Sequence, residues 1–363
     1  MAAGGTGGHV YPAIAIADAI KQQVPRAEIL FVGTKDHMEW RVVPKAGYNI
    51  KGIWISGFHR RLTLKNLMFP VKLTISLMQS LGIITKFDPH IVISCGGYVA
   101  GPIGWVASKR GYTLVIQEQN SYPGVTNRLL GKNAELIFTA FEDANQYFPE
   151  QKTKVTGNPT RSELTEADHE VAYKAFGFDP QQRTMLVLGG SGGARSINEA
   201  MAANIKKLHH EQKLQIIWQC GSTYFDKYRN EVDEDRLPNL KLIDFLQNMD
   251  QAYAVADLVV SRAGALSCSE LALTGKPSIL APSPNVAGDH QTKNARSMAD
   301  AGAAILAKDA ELKSTLAELV EQLINDHDRL KAMQEAALAK AKPNAANDIA
   351  TEILKLIESK EDT

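Results

Sequence analysis

Short apolar runs alternate with longer amphipathic segments along most of the chain. Runs of three to five apolar and β-branched residues predict buried strands, and the spacing between them is typical of helices. Because strands that alternate with helices form parallel sheets with right-handed crossovers, the pattern predicts an α/β fold. The predicted strands are Glu28–Val32, Ile91–Ser94, Thr113–Gln117, Leu136–Thr139, Thr184–Leu188, Gln215–Gln219, Leu242–Asp244, Leu258–Ser261 and Ser278–Ala281.

The pattern begins again halfway along the chain. A glycine-rich loop at Gly4–Gly8 opens the first half, and a second at Gly189–Gly193 opens the second half. Two such openings predict two Rossmann-like domains in tandem. Turn residues cluster at Gly157–Pro159, where we place the boundary. The predicted parts are a first domain of residues 1–157, a second of residues 158–340, and a C-terminal helix in residues 341–363 that packs back towards the first domain.

The first glycine loop lacks the usual preceding strand in the pattern. Only Met1, Ala2 and Ala3 come before Gly4. We therefore expect the first strand of this domain to be missing, because the start site is placed too late or the chain is trimmed. The alternative is that the strand is truly missing and that the protein is impaired.

Composition narrows the classes of partner and site. The 363 residues carry 40 basic and 40 acidic side chains, so nothing favours nucleic acid as a partner. Cys95, Cys220 and Cys268 lie far apart without CxxC spacing, which argues against a zinc site and fits a cytoplasmic protein. No apolar run is long enough to span a bilayer, so any membrane contact is expected to be peripheral.

Both glycine loops are candidates for binding phosphate through backbone N–H groups at a helix N-terminus. Glycines also serve tight turns, so each loop alone is weak evidence. The dinucleotide fingerprint GxGxxG requires glycine at its sixth position, but Val10 and Arg195 stand there. A nicotinamide cofactor is therefore disfavoured.

The second half holds a denser cluster of candidate ligand-binding residues. Small residues in Ser261–Glu270 follow a predicted strand and would allow a ligand to approach a helix N-terminus. The carboxylate of Glu270 could accept both hydroxyls of a ribose, or it could only complement the helix dipole. The polar run Gly288–Asn294 could bind a sugar or remain a solvated loop.

Several motifs in a fixed order resemble the MurG family, the UDP-N-acetylglucosamine transferases that complete the lipid-linked peptidoglycan precursor. The resemblance runs from Gly4 to about residue 355. The motifs are GGTGGHVYPA (Gly4–Ala13), GGYVAGP (Gly96–Pro102), EQNSYPGVTN (Glu118–Asn127), GNPTR (Gly157–Arg161), GGSGGARSIN (Gly189–Asn198), SRAGALSCSE (Ser261–Glu270) and DHQTKNA (Asp289–Ala295).

The resemblance implies a GT-B fold, in which two Rossmann-like domains face each other across a cleft. It implies inverting transfer of N-acetylglucosamine from UDP-N-acetylglucosamine to the C4 hydroxyl of the muramyl sugar of lipid I, giving lipid II. The implied partners are this donor, a polyprenyl-diphosphate-linked muramyl-peptide acceptor and an anionic membrane surface. The implied location is the cytoplasmic face of the cell membrane, and no cofactor or metal is implied.

The resemblance also implies residue roles. His9 is the expected base, because its unperturbed pKa of about 6.5 suits proton removal at neutral pH. A rival role for His9 is hydrogen bonding to the acceptor diphosphate, and Glu118 is the second candidate for the base. Two departures from the family pattern stand at Gly192 and Gln117. The implied donor-binding residues are Thr6, Gly7, Gly8, Asn120, Arg161, Ser191, Leu246, Ala265, Leu266, Ser267, Cys268, Ser269, Glu270 and Gln291, of which Thr6, Gly7, Gly8 and Asn120 could instead reach the acceptor phosphates.

A basic and apolar stretch around Phe58–Phe69 is the candidate for membrane contact. Large apolar side chains could enter the acyl boundary while cations meet anionic headgroups. A core helix with a solvated basic rim explains the pattern equally well, and the resemblance favours membrane contact. The candidate residues are Arg60, Arg61, Leu64, Lys65, Leu67, Met68 and Phe69.

Other functions remain open on the sequence alone. A non-hydrolysing UDP-N-acetylglucosamine epimerase of the same fold would share the donor site and need no membrane face. A non-catalytic subunit that holds the UDP-sugar or the lipid would leave the chemistry to a partner. A nicotinamide oxidoreductase ranks last, because the glycine spacing disfavours it.

Overall fold

The computed structural model describes residues 1–57, 68–160, 162–190, 192–211, 213–232 and 237–361. The chain forms two compact units, each with its own parallel sheet. The first unit comprises Met1–Arg161 together with Pro343–Thr363, and the second comprises Ser162–Lys342. The units divide at Arg161, a few residues beyond the turn at Gly157–Pro159.

The first unit is built on a seven-stranded sheet in which every neighbouring pair is parallel. The order is β3-β2-β1-β4-β5-β6-β7, so the direction of winding reverses between β1 and β4. Ligands of such doubly wound sheets bind beyond the carboxyl ends of the strands at this reversal. The strands are β1 Ala2–Ala3, β2 Leu30–Gly33, β3 Asn49–Gly52, β4 Ile91–Gly96, β5 Thr113–Glu118, β6 Leu136–Thr139 and β7 Thr153–Val155.

The expectation that the first strand is missing is wrong for this structure. Ala2 and Ala3 form β1 in the middle of the sheet and pair with both β2 and β4. Met1 extends the pairing, since its carbonyl accepts the Val32 N–H at 2.8 Å. Two alanines carry no hydrophobic periodicity, yet their backbone is fixed from both sides and their side chains are buried.

Helices cover both faces of the first sheet. The C-terminal helix Ala345–Glu361 belongs to this unit and packs against α1, with Ile349, Ala350 and Ile353 fully buried. α3 packs against α4 on the other face, and α4 packs against α5. The helices of this unit that precede the C-terminal one are α1 Gly7–Gln23, α2 Glu39–Lys45, α3 Phe69–Phe87, α4 Ala100–Lys109 and α5 Val125–Gly131.

The second unit repeats the design with a six-stranded parallel sheet of order β10-β9-β8-β11-β12-β13. Its winding reverses between β8 and β11. The strands are β8 Thr184–Leu188, β9 Gln215–Gln219, β10 Leu240–Ile243, β11 Leu258–Ser261, β12 Ser278–Leu280 and β13 Ala304–Leu306. The helices are α6 His169–Phe176, α7 Arg195–Lys206, α8 Phe225–Glu231, α9 Met249–Val255, α10 Ala265–Leu273, α11 His290–Asp300, α12 Leu312–Ile324 and α13 His327–Ala339.

The α/β fold of two Rossmann-like units confirms the prediction from the alternating pattern. The strands that the sequence did not predict include β3, β7 and β13, which lie at sheet edges. Edge strands are buried on fewer sides, and β3 alternates exposed with half-buried residues, so it carries no apolar run. Among the described helices, none combines the length and apolar character needed to cross a membrane.

Candidate functional site

The first glycine loop lies at the winding reversal of the first unit, in close contact with the loop after β4. A Cβ on Gly97 would stand 2.2 Å from the Gly4 carbonyl oxygen, and Gly97 has a φ of +82°. Only glycine fits both the approach and the left-handed backbone. The loops Gly4–Gly8 and Gly96–Gly97 therefore form one backbone surface.

His9 stands in the first turn of α1, beside this surface. Its Nδ1 shares a hydrogen bond of 3.0 Å with the Thr6 hydroxyl. Its ring lies over Gly96, where a Cβ would come within 2.7 Å of the His9 Cδ2 atom. The hydrogen bond at Nδ1 orients the imidazole ring.

The start of α1 presents backbone donors next to His9. α1 begins at Gly7, and Thr6 is its extended N-cap residue. Within the described chain, the N–H groups of Gly7 and Gly8 donate to no protein acceptor, whereas the His9 N–H donates to the Thr6 carbonyl. Donors of this kind at the N-terminus of a long helix are suited to a phosphate group.

Glu118 is buried at the end of β5 and accepts hydrogen bonds on both oxygens. Its Oε1 accepts from the Asn120 N–H and side chain, and its Oε2 accepts from the Gly124 N–H and from Asn127 Nδ2, all within 3.1 Å. Burial raises the pKa of the Glu118 carboxyl, against the opposing effect of these donors. The carboxylate thus organises the 118–127 loop and has little access to a substrate proton.

In the second unit, the loop after β8 is tied to the segment after β10 by Gln219, a residue that the sequence did not single out. Gln219 Nε2 donates to the Gly190 carbonyl at 2.9 Å, and Gln219 Oε1 accepts the Leu246 N–H at 3.2 Å. Because the Leu246 N–H is engaged, a nucleobase contact at Leu246 would use its carbonyl.

α10 begins directly after β11, and its first turn supplies further backbone donors. Within the described chain, three N–H groups of this turn donate to no protein acceptor, those of Ala265, Leu266 and Ser267. The Cys268 N–H already donates to the Gly264 carbonyl. The Cys268 side chain lies in the core, where burial raises the pKa of its thiol to about 12. Ser269 Oγ donates to Ala265 O. The N–H groups of the first three residues are therefore the ones that could donate to an anionic ligand.

Glu270 follows one turn later and is oriented by a phenol. Tyr253 is almost fully buried on α9, and its hydroxyl donates to Glu270 Oε2 at 3.1 Å. This contact fixes one carboxylate oxygen and orients the other. No local sequence pattern indicates this contact, because the two residues lie on different helices.

The polar run of the DHQTKNA motif is partly used to build its own loop. Gln291 Oε1 accepts the Ser283 N–H at 2.8 Å, so its amide N–H₂ is the end that can reach a ligand. Asn294 is fully buried and donates to the Ala263 carbonyl, which anchors α11 to the loop after β11.

Arg262 joins three loops at the carboxyl edge of this sheet. It forms an ion pair with Asp309, donates to the Ala281 carbonyl at 2.9 Å, and donates to the Ser196 hydroxyl at 2.8 Å. Its guanidinium is thereby committed to holding the loops in place.

Some predicted residues lie outside the described residues. They are Arg161 and Ser191 of the donor set, and Arg60, Arg61, Leu64, Lys65 and Leu67 of the membrane set. Of the remaining membrane candidates, Met68 is exposed, whereas Phe69 is half-buried and packs against the core of the first unit.

Comparisons with known proteins agree with this architecture. The family model of the glycosyltransferase family 28 N-terminal domain matches residues 1–139, and that of the family 28 C-terminal domain matches residues 184–349. A UDP-N-acetylglucosamine--N-acetylmuramyl-(pentapeptide) pyrophosphoryl-undecaprenol N-acetylglucosamine transferase of Flavobacterium psychrophilum is 48% identical over 361 residues, covering 99% of this chain and 97% of the relative.

Solved structures extend the likeness to the fold. The crystal structure of MurG from Acinetobacter baumannii is 30% identical, with a TM-score of 0.75 and coverage of 98% of each chain. A putative UDP-N-acetylglucosamine 2-epimerase from Listeria monocytogenes has a TM-score of 0.73 over 99% of this chain and 96% of its own. At 15% identity, the epimerase shares the fold alone.

Proposed function

This chain belongs to the MurG family of glycosyltransferases, and from that premise we propose that it transfers N-acetylglucosamine from UDP-N-acetylglucosamine to a muramyl-pentapeptide linked to undecaprenyl diphosphate. The single observation that carries the proposal is the 48% sequence identity, over 361 residues, to a transferase named for this reaction. The epimerase alternative has no comparable support, since its likeness is confined to the fold.

We assign the donor to the second unit. The first-turn amides of α10 would take the diphosphate of UDP, and Glu270 would accept the ribose hydroxyls. The Gln291 amide group would donate to a sugar oxygen, and the Leu246 carbonyl would meet the uracil. Arg161 and Ser191 remain proposed donor contacts on the family resemblance.

We assign the acceptor diphosphate to the first unit. The N–H groups of Gly7 and Gly8 suit its phosphate oxygens, and Thr6 is the N-cap residue of the same helix. Asn120 lies in the loop after β5, which contacts the end of β4 through Gln119 and Asn127. From the sequence alone, these four residues could bind either the donor or the acceptor phosphates, and we assign them to the acceptor. It would place the acceptor near Nε2 of His9.

The proposed reaction is a single displacement with inversion. The acceptor C4 oxygen forms a bond to the anomeric carbon of the sugar while the bond from that carbon to the β-phosphate oxygen of UDP breaks. The proton of the acceptor hydroxyl passes to His9, and UDP leaves with the electron pair. Backbone donors at α10 would stabilise the negative charge that gathers on the departing diphosphate.

A membrane-borne acceptor calls for peripheral contact with the cytoplasmic face of the membrane. Exposed apolar side chains on the first unit support this proposal, including Met68 and residues along α3. They would enter the acyl boundary without spanning the bilayer.

The test is UDP release from UDP-N-acetylglucosamine by the purified chain, with and without the lipid-linked acceptor. We expect acceptor-dependent release together with a disaccharide-lipid product. Conversion of the donor to its 2-epimer without acceptor would instead support the epimerase. Binding of both substrates without any product would support a non-catalytic subunit.

A further inference from the structure

Glu39 belongs to none of the sequence motifs, yet its buried carboxylate contacts the first glycine loop. It is the first residue of α2 and has no exposed surface. Its Oε2 accepts the Gly5 N–H at 3.2 Å, and its Oε1 accepts the Thr34 N–H at 3.1 Å and the Thr34 hydroxyl at 2.8 Å. One side chain thus ties the loop after β1 to the loop after β2.

The surroundings of Glu39 are shaped to hold this side chain. A Cβ on Gly4 would lie 2.7 Å from Glu39 Oε1, and a Cβ on Gly33 would lie 2.6 Å from Glu39 Cγ. Two glycines at the ends of neighbouring strands therefore leave the space that the carboxylate occupies. Among the described residues, Glu39 makes no ion pair, so hydrogen bonds alone compensate its burial.

This arrangement sets the part of the loop that would meet substrate. Gly5 has a φ of +88°, and its N–H donates to Glu39 Oε2. The chain then runs directly into Thr6, which binds His9, and into the open N–H groups of Gly7 and Gly8. Fixing Gly5 consequently fixes both the amide donors and the proposed base.

We propose that Glu39 is a positioning residue for the acceptor diphosphate. It touches no substrate, and it acts by holding Gly5 so that the Gly7 and Gly8 amides and His9 face the acceptor. This inference rests on the proposed function, because it takes the acceptor as the ligand of the first loop.

The negative charge of Glu39 and its positioning role predict opposite effects of Glu39→Gln on acceptor binding. A carboxylate beside an anion-binding loop repels a diphosphate, so loss of its charge alone would tighten acceptor binding. In Glu39→Gln, however, one carboxylate oxygen becomes an amide N–H₂. The remaining oxygen keeps more hydrogen bonds on the two Thr34 donors than on the single Gly5 donor, so the N–H₂ faces the Gly5 N–H and the first glycine loop is released. Positioning therefore predicts weaker acceptor binding.

The experiment compares Glu39→Gln with Thr34→Val, which removes a hydrogen bond to the same buried carboxylate but leaves the Gly5 contact. For Glu39→Gln we expect the acceptor KM to rise about tenfold, with the donor KM within about twofold of wild type. For Thr34→Val we expect both KM values to stay within about twofold, even where thermal stability falls. Glu39→Asp, which keeps the charge but is too short to reach both loops, should behave like Glu39→Gln.

A binding readout separates this inference from the proposed function. Inorganic pyrophosphate is titrated into each protein saturated with UDP, so that the donor site is filled. Weaker pyrophosphate binding by about tenfold in a folded Glu39 variant supports positioning even if the wild type transfers no sugar. Unchanged or tighter binding in both folded Glu39 variants, or equal weakening in Thr34→Val, overturns it.

Discussion

His9 is the residue on which the proposed chemistry depends most directly. Its Nδ1 is held by Thr6 and its ring lies over Gly96, so Nε2 has a defined direction. If Nε2 accepts the acceptor proton, His9→Ala should lower kcat by about 100-fold or more while both KM values change little. Steady-state rates at saturating substrates check this.

Thr6 offers the matched comparison for His9. Thr6→Ser keeps the hydroxyl that orients the ring and should retain most of the activity, whereas Thr6→Val loses it and should lower kcat. Near-normal turnover by His9→Ala would contradict the assignment of the base. The buried Glu118, with all its hydrogen bonds made, would then need a conformational change to serve instead.

Tyr253 yields a second prediction at the scale of single residues. Removing its hydroxyl in Tyr253→Phe takes one hydrogen bond from Glu270 Oε2, so the carboxylate is less firmly oriented but keeps its charge. We expect the donor KM to rise about threefold to tenfold with kcat nearly unchanged, and Glu270→Ala to raise it further. The measurement is donor saturation at fixed acceptor.

A double-mutant cycle decides whether Tyr253 acts through Glu270. In the Glu270→Ala background, Tyr253→Phe should add little, because the partner that it orients is gone. An additive effect would show that the Tyr253 hydroxyl acts independently of Glu270. An unchanged donor KM in both single variants would remove Glu270 from the ribose.

Residues with polar chemistry in motifs could be predicted from the sequence, and those that hold them in place could not. Glu270 and His9 stand next to glycine-rich loops that mark them. Gln219, Tyr253 and Glu39 act through contacts with residues that are distant in sequence. Their roles depend on which loops the sheet order brings together, and the local pattern does not contain that information.

Among the elements, the turn between α10 and β12 contains a buried lysine, and burial of its charge destabilises the folded state. Lys276 Nζ donates to the Ala256 carbonyl at 2.9 Å, and burial lowers the pKa of this ammonium to about 8, against the opposing effect of Asp257. Between this value and the unfolded pKa of about 10.4, the unfolded chain binds more protons than the folded chain. The folded state therefore gains stability from this group as pH rises through that window.

Lys276→Met removes this titration and so isolates it. The free energy of unfolding of the wild type, relative to Lys276→Met, should rise by about 2 kcal/mol between pH 7 and pH 10. Urea unfolding at both pH values measures the difference. Lys241→Met, on the edge strand β10, is the control for the loss of a lysine side chain. A difference independent of pH would show that the Lys276 pKa is ordinary.

Strand prediction succeeded where a strand is buried and failed where the sheet environment supplies the stability. Leu136–Thr139, Thr184–Leu188, Gln215–Gln219 and Leu258–Ser261 have the predicted bounds. β1 has only two residues, and its pairing on both sides rather than its composition makes it a strand. The edge strands β3 and β7 lack continuous apolar runs, because each has a neighbouring strand on one side only.

For the whole molecule, the repeated glycine loop was enough to predict two units of the same fold. The surface through which a lipid acceptor would be reached was harder to place, because five of the seven predicted residues lie outside the described residues. The described helix α3 now supplies a sharper candidate. Val71, Met78 and Leu81 are exposed and lie on one stripe at helical spacing.

Met78→Ser combined with Leu81→Ser tests this stripe. Both side chains are exposed in the structure, Met78 to 69%, so the change should leave the fold intact. If the stripe enters the acyl boundary, loss of two large apolar groups should weaken binding to vesicles of anionic phospholipid by about tenfold or more. Sedimentation with vesicles measures the bound fraction.

The control is Val171→Ser combined with Leu338→Ser, since these side chains are equally apolar and exposed but belong to the second unit. Vesicle binding by the control should match wild type. Both variants should retain the wild-type KM for UDP-N-acetylglucosamine, because none of the four substituted residues is among the proposed donor-binding residues. Equal vesicle binding by both would mean that α3 faces water and that the acceptor is reached through another surface.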